Sequence, residues 1–161
     1  MKLMELVKLS IPKDLEMTFK KAFKSGHKKR HEFITVEHLL LVLLDDDSVS
    51  KALVACNVNI DKLRQDLTQF IDEKILVAPG IKDVDSEPTI GFWRVFQRAI
   101  FRANNSMEIV TTPNLNILLA IFTEKDSHAV TLMHQQSMTK LDAASFILHG
   151  TRKDAEQKAV S

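Results

Sequence analysis

The architecture of this chain follows from the stretch Ile34-Thr35-Val36-Glu37-His38-Leu39-Leu40-Leu41-Val42-Leu43-Leu44. Thr35 can cap the first turn of a helix, and Glu37 lies where the positive end of the helix dipole favours an anion. From Leu39 onward every residue is apolar, which is typical of a helix buried on all sides. The stretch therefore predicts a central, buried helix that runs from Thr35 to about Leu44.

A second stretch repeats this pattern 76 residues later, at Val110-Thr111-Thr112-Pro113-Asn114-Leu115-Asn116-Ile117-Leu118-Leu119-Ala120. Each copy begins with a threonine that can cap a helix, and each lies between two further helical patterns. Two copies of a unit this long indicate a duplication rather than a solenoid. The predicted fold class is all-α, with two pseudo-repeated four-helix units packed as one domain.

The two repeats are predicted to occupy residues 13–76 and 89–150, with a linker at 77–88 between them. The linker holds two of the four prolines, a glycine and an acidic run, a composition that favours turns. Residues 151–161 are polar, and we expect them to fray.

Local signals predict several helix boundaries. Gly26 is expected to end the first helix, and Gly150 the last. A short helix is expected near Ser50–Cys56. Thr89 is expected to cap the first helix of the second repeat, and Pro113 suits the first turn of that repeat's central helix.

The composition excludes several classes of protein. The chain has 161 residues, 45% apolar and 27% charged, as folded globular proteins do, and a net charge of +1 gives no electrostatic case for binding nucleic acid or an anionic membrane. The single cysteine, Cys56, excludes an internal disulfide, and we expect a buried, inert thiol in a reducing compartment. Residues 1–8 are broken by charges, unlike a signal peptide, and no segment is apolar enough to span a membrane. A cytoplasmic location is therefore expected.

The motifs of nucleotide-binding and hydrolytic enzymes are missing from the sequence. It contains no GxxxxGK[ST], GxSxG or HExxH, and its four glycines form no phosphate-binding loop. His27, His31 and Glu32 have two interpretations, as zinc ligands of a small metal-dependent enzyme or as part of a solvated basic loop. His38 is expected to be a packed, hydrogen-bonded histidine. We therefore expect no catalytic residue, cofactor or metal in this chain.

Two further features each have two interpretations. Phe92 and Trp93 are adjacent, so a helix that buries Phe92 leaves Trp93 either partly buried or free to anchor an interface. Six cations within eleven residues, with no acid among them, either contact phosphate or an acidic protein or form a solvated helix face. These cations are Lys20, Lys21, Lys24, Lys28, Lys29 and Arg30.

Three separated motifs resemble one family. The first, similar to the opening of the amino-terminal Clp repeat domain of AAA+ unfoldases, is Arg30-His31-Glu32-Phe33-Ile34-Thr35-Val36-Glu37-His38-Leu39-Leu40. The second, similar to the ClpA branch of that family, is Glu87-Pro88-Thr89-Ile90-Gly91-Phe92 followed by Arg94-Val95 and Gln97-Arg98-Ala99. The third, similar to the segment that joins the ClpA domain to its first ATPase module, is Phe146-Ile147-Leu148-His149-Gly150-Thr151-Arg152-Lys153-Asp154. The resemblance covers about residues 13–154.

The resemblance implies a non-catalytic docking domain, with residues 151–161 starting a linker to an ATPase module that this chain lacks. In ClpA-type unfoldases such a domain receives protein substrates and binds the ClpS adaptor, for delivery to the ATPase ring and the ClpP peptidase. It also implies a monomeric isolated domain, a hexameric parent, and ATP and Mg bound only in the parent. Carried over by position, the residues implied to bind the adaptor are Glu32, Glu37, Thr89, Arg94 and Arg98.

The chemistry of these five residues suits docking, although each also has a structural explanation. Glu32 and Glu37 can accept charge-assisted hydrogen bonds from a cationic adaptor residue, whereas Glu37 also complements the helix dipole. Thr89 can cap a helix, and the two arginines can be solvated charges. Trp93 departs from the family pattern, since ClpA proteins commonly carry glutamine there. The alternative function is a stand-alone Clp-repeat protein that binds client proteins or peptides without its own ATPase.

Overall fold

Two copies of a four-helix unit make up the computed structural model, which describes residues 11–105 and 112–153 of the chain. The elements of the first copy are α1 (Lys13–Lys28), β1 (Phe33–Ile34), α2 (Val36–Leu43), α3 (Asp47–Ala55) and α4 (Ile60–Lys74). The connection contains β2 (Glu87–Pro88), and the second copy consists of α5 (Ile90–Asn105), α6 (Pro113–Phe122), α7 (His128–Gln135) and α8 (Lys140–His149). The all-α fold class is confirmed.

The central helices α2 and α6 begin in the same way. The Thr35 hydroxyl accepts the backbone N–H of His38, and the Thr112 hydroxyl accepts that of Leu115. Each cap satisfies one of the N–H groups that a first helical turn leaves without a partner. The two caps are 77 residues apart, one more than the predicted offset, because Thr112 rather than Thr111 is the cap. Thr111 itself lies outside the described residues.

One apolar core serves both repeats. Phe19 of α1 packs edge to face against Phe92 and Phe96 of α5, with ring centroids 5.4 and 4.7 Å apart. All three rings are fully buried, and burying a phenylalanine side chain stabilises a fold by about 1.5–3 kcal/mol. The first helix of one repeat therefore packs directly on the first helix of the other.

The prediction that Gly26 ends the first helix is wrong. Helix α1 continues through this buried glycine to Lys28, and the chain then turns at Arg30, whose φ is 63°. A Cβ on Gly26 would overlap the Ile34 side chain and lie 3.2 Å from His38 Nε2. Glycine is present here because two elements pack closely, not because a helix ends.

Other predicted boundaries agree with the structure, with one shift. Gly150 adopts a left-handed conformation directly after α8, and Pro113 is the first residue of α6. The Thr89 hydroxyl accepts the Phe92 N–H at 3.2 Å, as expected of a cap. The short third helix begins at Asp47 rather than near Ser50, because the Asp46 side chain caps it.

The connection between the repeats is not wholly a loop. Strand β2 pairs in parallel with β1, and this places Phe33 opposite Glu87 and Ile34 opposite Pro88. Immediately afterwards, the Thr89 N–H donates to the Ile34 carbonyl at 2.9 Å. The pairing therefore holds the start of α5 beside the start of α2, which brings the predicted site residues of both repeats together.

Candidate functional site

A surface cavity of about 580 Å³ opens where the two repeats meet. Its walls come from the first turn of α2, from the first half of α5 and from the loop at residues 123–127 between α6 and α7. Four of the five residues implied to bind an adaptor line it, namely Glu37, Thr89, Arg94 and Arg98. We call this region the docking face, defined by these four residues and the 123–127 loop.

Glu32 is not among the residues that line the cavity. It precedes β1, where its backbone N–H donates to the Leu76 carbonyl and its own carbonyl accepts the Glu87 N–H. The described contacts of Glu32 are thus with the connection between the repeats. Glu32 therefore lies beside the connection and not in the wall of the cavity.

Glu37 ties the two repeats together. Its residue is only 6% exposed, and its Oε2 accepts the backbone N–H of Ala129 at 2.9 Å. Ala129 lies in the first turn of α7, so the carboxylate also meets the positive end of that helix. One oxygen of Glu37 is therefore already engaged inside the domain, which sequence reasoning did not foresee.

Glu124 is the central residue of the docking face that sequence reasoning missed. Its Oε1 accepts hydrogen bonds from Arg94 at 2.8 and 3.1 Å, and its Oε2 accepts one from Arg98 at 2.6 Å. The hydrogen bonds from Arg94, aided by the one from Arg98, lower the Glu124 pKa although burial opposes this. The hydrogen bonds to Glu124 in turn raise the pKa of Arg94.

A sequence signal for Glu124 did exist. Arg94 and Arg98 lie four residues apart on one face of α5, and that helix contains no acidic residue. Two neighbouring cations on a helix without an acid favour an anion from another element, and the loop after α6 supplies it. Choosing Glu124 over Asp126 in that loop required the tertiary structure.

Gly91 allows the two sides of the docking face to approach each other. A Cβ at this position would lie 3.2 Å from Glu124 Oε1 and 3.3 Å from Val36 Cγ2. Both distances are tighter than ordinary van der Waals contact. A larger residue would therefore require Glu124 and Val36 to shift by a few tenths of an ångström.

A buried pair of histidines supports the start of α2. His31 Nδ1 lies 2.8 Å from His38 Nε2, and the backbone N–H of Thr35 donates to His38 Nδ1 at 3.0 Å. Because Nδ1 of His38 accepts, its proton resides on Nε2 and is donated to His31. Burial lowers the His38 pKa from 6.5 to about 4, with further lowering by His31 and then Lys29. The expectation of a packed, hydrogen-bonded His38 is confirmed.

The structure also describes the candidate zinc ligands and the cluster of six cations. His31 pairs with His38 rather than with His27, whose Nδ1 is 3.4 Å from Ser86 Oγ. In residues 11–105 and 112–153, no group of three or more potential ligands is placed to hold a metal ion. Of the six clustered cations, Lys20 pairs with Glu16 at 2.7 Å, and the five lysines are exposed.

Trp93 and Cys56 lie outside the docking face, and both are at least partly buried. Trp93 is half-buried and stacks on Phe96 with 5.7 Å between the ring centroids, which favours the interpretation as partly buried core. Cys56 is 1% exposed, as expected, and burial raises its thiol pKa to about 11. None of the helices in the described ranges is both long and apolar enough to cross a membrane.

Comparisons with known proteins agree on the family to which this geometry corresponds. The model of the Clp repeat (R) N-terminal domain matches residues 12–136. A ClpA homolog protein from Fuscovulum blasticum is 36% identical over 146 residues, which are 90% of this chain but only 18% of that protein.

Solved structures show the same fold at low sequence identity. The Hsp104 N-terminal domain from Candida albicans gives a TM-score of 0.64 at 11% identity, covering 82% of this chain and 85% of that one. The N-domain of ClpV from Vibrio cholerae gives 0.62 at 18% identity, covering 83% and 81%.

Proposed function

Because the chain belongs to the Clp repeat (R) N-terminal domain family, we propose that it is the adaptor- and substrate-docking domain of a ClpA-type AAA+ unfoldase. The chain spans 18% of the length of the ClpA homolog that it matches, so the parent protein's activity is part of the proposal. In that parent, a cytoplasmic hexamer, ATP and Mg bind to modules outside this domain. The domain itself binds the ClpS adaptor and protein substrates, and the ATPase ring passes the substrates to the ClpP peptidase.

The observation that carries this proposal is that Glu37, Thr89, Arg94 and Arg98 meet at one cavity. Glu37 belongs to the first repeat and the other three residues to the second, more than fifty residues later in the sequence. A surface composed of both halves of a duplicated fold exists only when the domain is folded, as expected of a specific recognition site.

The chemistry of the docking face suits binding between preformed surfaces. Arg94 and Arg98 are about half exposed, with side-chain exposures of 51% and 42%, while Glu124 is nearly buried beneath them. Arginine is enriched at protein interfaces because its planar guanidinium forms several hydrogen bonds at once. Capture by such a domain, followed by transfer to a tethered ring, raises the effective concentration of substrate at the pore.

The direct test is calorimetric titration of the domain with the ClpS adaptor of the same organism. Arg94→Glu should weaken binding at least roughly a hundredfold, because it removes a docking cation and places a like charge beside Glu124. Arg102→Glu is the matched control, since Arg102 is an exposed arginine on the same helix outside the cavity. Equal loss of affinity in the two variants would locate the interface elsewhere.

Glu32→Lys tests how far the interface extends. Because Glu32 does not line the cavity, we expect a smaller loss of affinity for this variant than for Arg94→Glu. A well-folded wild-type domain that binds no adaptor would contradict the docking proposal itself.

A second test uses the full-length parent. Deleting the domain should leave ATP hydrolysis largely intact while adaptor-dependent degradation is lost, since the domain contributes capture rather than chemistry. Loss of basal ATP hydrolysis on deletion would contradict this division of roles.

A further inference from the structure

Glu124 has an unusual position for a charged residue on a docking face. Its side chain is only 8% exposed, and both of its oxygens bind arginine side chains that are themselves about half exposed. Arg94 Nε lies 3.1 Å from each of the two oxygens, and an Arg94 terminal nitrogen lies 2.8 Å from Oε1. The carboxylate therefore lies beneath the two arginines rather than beside them in solvent.

Both guanidinium groups keep hydrogen-bond donors that Glu124 does not use. A guanidinium has five N–H donors in a fixed plane. Glu124 occupies Nε and one terminal nitrogen of Arg94, and one terminal nitrogen of Arg98. Within residues 11–105 and 112–153, no hydrogen bond engages the remaining donors, which belong to side chains that are substantially exposed.

The charges of the cluster bear on how its arginines are arranged. Arg94, Arg98 and Glu124 carry one net positive charge, while the cavity lining as a whole is balanced by further acidic and basic side chains. Without the glutamate, two like charges one helical turn apart would repel each other and sample separate rotamers. Ordering two long side chains at the moment of binding would then reduce affinity.

We propose that Glu124 is a positioning residue of the docking face, which holds Arg94 and Arg98 in the arrangement that receives the adaptor. This inference rests on the proposed docking function and deepens it. Glu124 acts through the two arginines and does not itself contact the partner. Gly91 contributes, because a Cβ at this position would lie only 3.2 Å from Glu124 Oε1 and would crowd the carboxylate.

The test compares Glu124→Gln with Asp126→Asn in the same adaptor titration. Each substitution removes one negative charge from the cavity lining, but only Glu124 binds the arginines. We expect Glu124→Gln to weaken adaptor binding roughly tenfold and Asp126→Asn to change it little. Unchanged binding by Glu124→Gln would overturn the proposal, and tighter binding would show instead that Glu124 competes with the partner.

A double-mutant cycle separates positioning from general structural support. If Glu124 acts through Arg94 and Arg98, Glu124→Gln should have no further effect on affinity when both arginines are alanine. A persistent effect in that background would overturn the proposal. Should Glu124→Gln not fold, Glu124→Asp applies the same test, because aspartate keeps the charge but is one methylene too short to reproduce the contact with the arginines. Wild-type affinity in Glu124→Asp would likewise overturn it.

A readout without the adaptor distinguishes the two possible failures. In NMR spectra of the free domain, the Arg94 Nε–H should be protected from exchange in the wild type and not in Glu124→Gln. Absence of that protection in the wild type would overturn the positioning role whatever the partner. Protection combined with no adaptor binding would instead overturn the docking function, and with it the assigned purpose of Glu124.

Discussion

Glu37 and Asn114 occupy equivalent places in the two repeats, yet they form different contacts. Each is the second residue of a central helix, after the caps Thr35 and Thr112. Glu37 reaches the first turn of α7 and accepts the Ala129 N–H. Asn114 reaches the opposite repeat in the same way, and its Nδ2 donates to Asp46 Oδ1 at 2.7 Å. We call these contacts the Glu37 junction and the Asn114 junction.

The surroundings of the two junctions differ in how their polar groups are used. At the Asn114 junction, the Thr18 hydroxyl donates to Asn114 Oδ1 at 2.6 Å, and Ser48 contacts Thr112 at 2.9 Å. Burial opposes ionisation of Asp46, but hydrogen bonds from Ser48 and Asn114 outweigh it and lower the Asp46 pKa. The polar groups there satisfy one another inside the domain.

At the Glu37 junction, by contrast, the arginines keep donors at an open cavity. A duplication creates two equivalent positions, and both hold the repeats together here, but only the Glu37 junction borders the cavity that we propose as a binding surface. We therefore expect one adaptor molecule per domain.

Breaking the core that the two repeats share should have the largest effect. Phe19→Ala removes a fully buried ring that contacts Phe92 and Phe96 across the repeats. We expect the free energy of unfolding to fall by about 3–5 kcal/mol, measured by denaturant titration. The wild type should unfold in one transition, because the repeats share this core. Two separate melting transitions would contradict a shared core. The repeat boundaries 13–76 and 89–150 remain predictions.

The pH dependence of stability should distinguish the two central helices. The third residue of α2 is His38, whereas the equivalent residue of α6 is the non-titrating Leu115. With its pKa lowered from 6.5 to about 4, His38 contributes fully above pH 6.5. As the pH falls toward 4, the unfolded chain takes up a proton that the folded one does not. This should cost about 3 kcal/mol, measured as unfolding free energy against pH. A His38→Gln variant should lack this component, and an unchanged pH profile in it would contradict the assignment.

Truncating each junction should separate stability from binding. Glu37→Ala leaves the buried Ala129 N–H without its partner, and Asn114→Ala removes the partly buried hydrogen bonds to Thr18 and Asp46, so both should lower the free energy of unfolding by about 1–2 kcal/mol. Only Glu37→Ala should also weaken adaptor binding, because only it alters the docking face. If Asn114→Ala weakened binding to the same extent, the two junctions would not differ in the way we infer.

The smallest effect is expected at Trp93, the fourth residue of α5, which stacks on Phe96. The equivalent residue of α1 is Glu16, which pairs with Lys20 instead. Trp93→Gln should lower stability by about 1 kcal/mol through the lost stacking. Adaptor affinity should change less than roughly threefold, because the ring packs on the core. A larger loss of affinity would show that Trp93 anchors the interface.

Much of the fold was predictable because its signals are local. A threonine before an apolar run predicted both central helices, and Gly150 predicted the end of the last one. The function of Gly26 was not predictable in this way, because it depends on Ile34 packing against it from another element. The parallel pairing of β1 with β2 was missed for a similar reason, since strands of two residues have no detectable pattern.

The candidate site was predictable only in part. The family resemblance supplied five residues, and four of them meet at the cavity. Glu124 was missed because no motif marks it, and only the folded chain brings it to the arginines of α5. The inward role of Glu37 was missed because its partner is a backbone N–H, which a sequence does not distinguish from any other.

The polypeptide between the repeats is attached to the first repeat at both of its ends, and the pairing of β1 with β2 supplies one of the two attachments. Near the start, the Ala78 N–H donates to the Arg30 carbonyl, and near the finish the Glu87 N–H donates to that of Glu32. Between them Ile81 is 99% exposed. A single protease cut at this tip should leave the halves associated through their shared core. The domain could thus be expressed as two complementing fragments, whose reassembly would report on the junctions without any adaptor present.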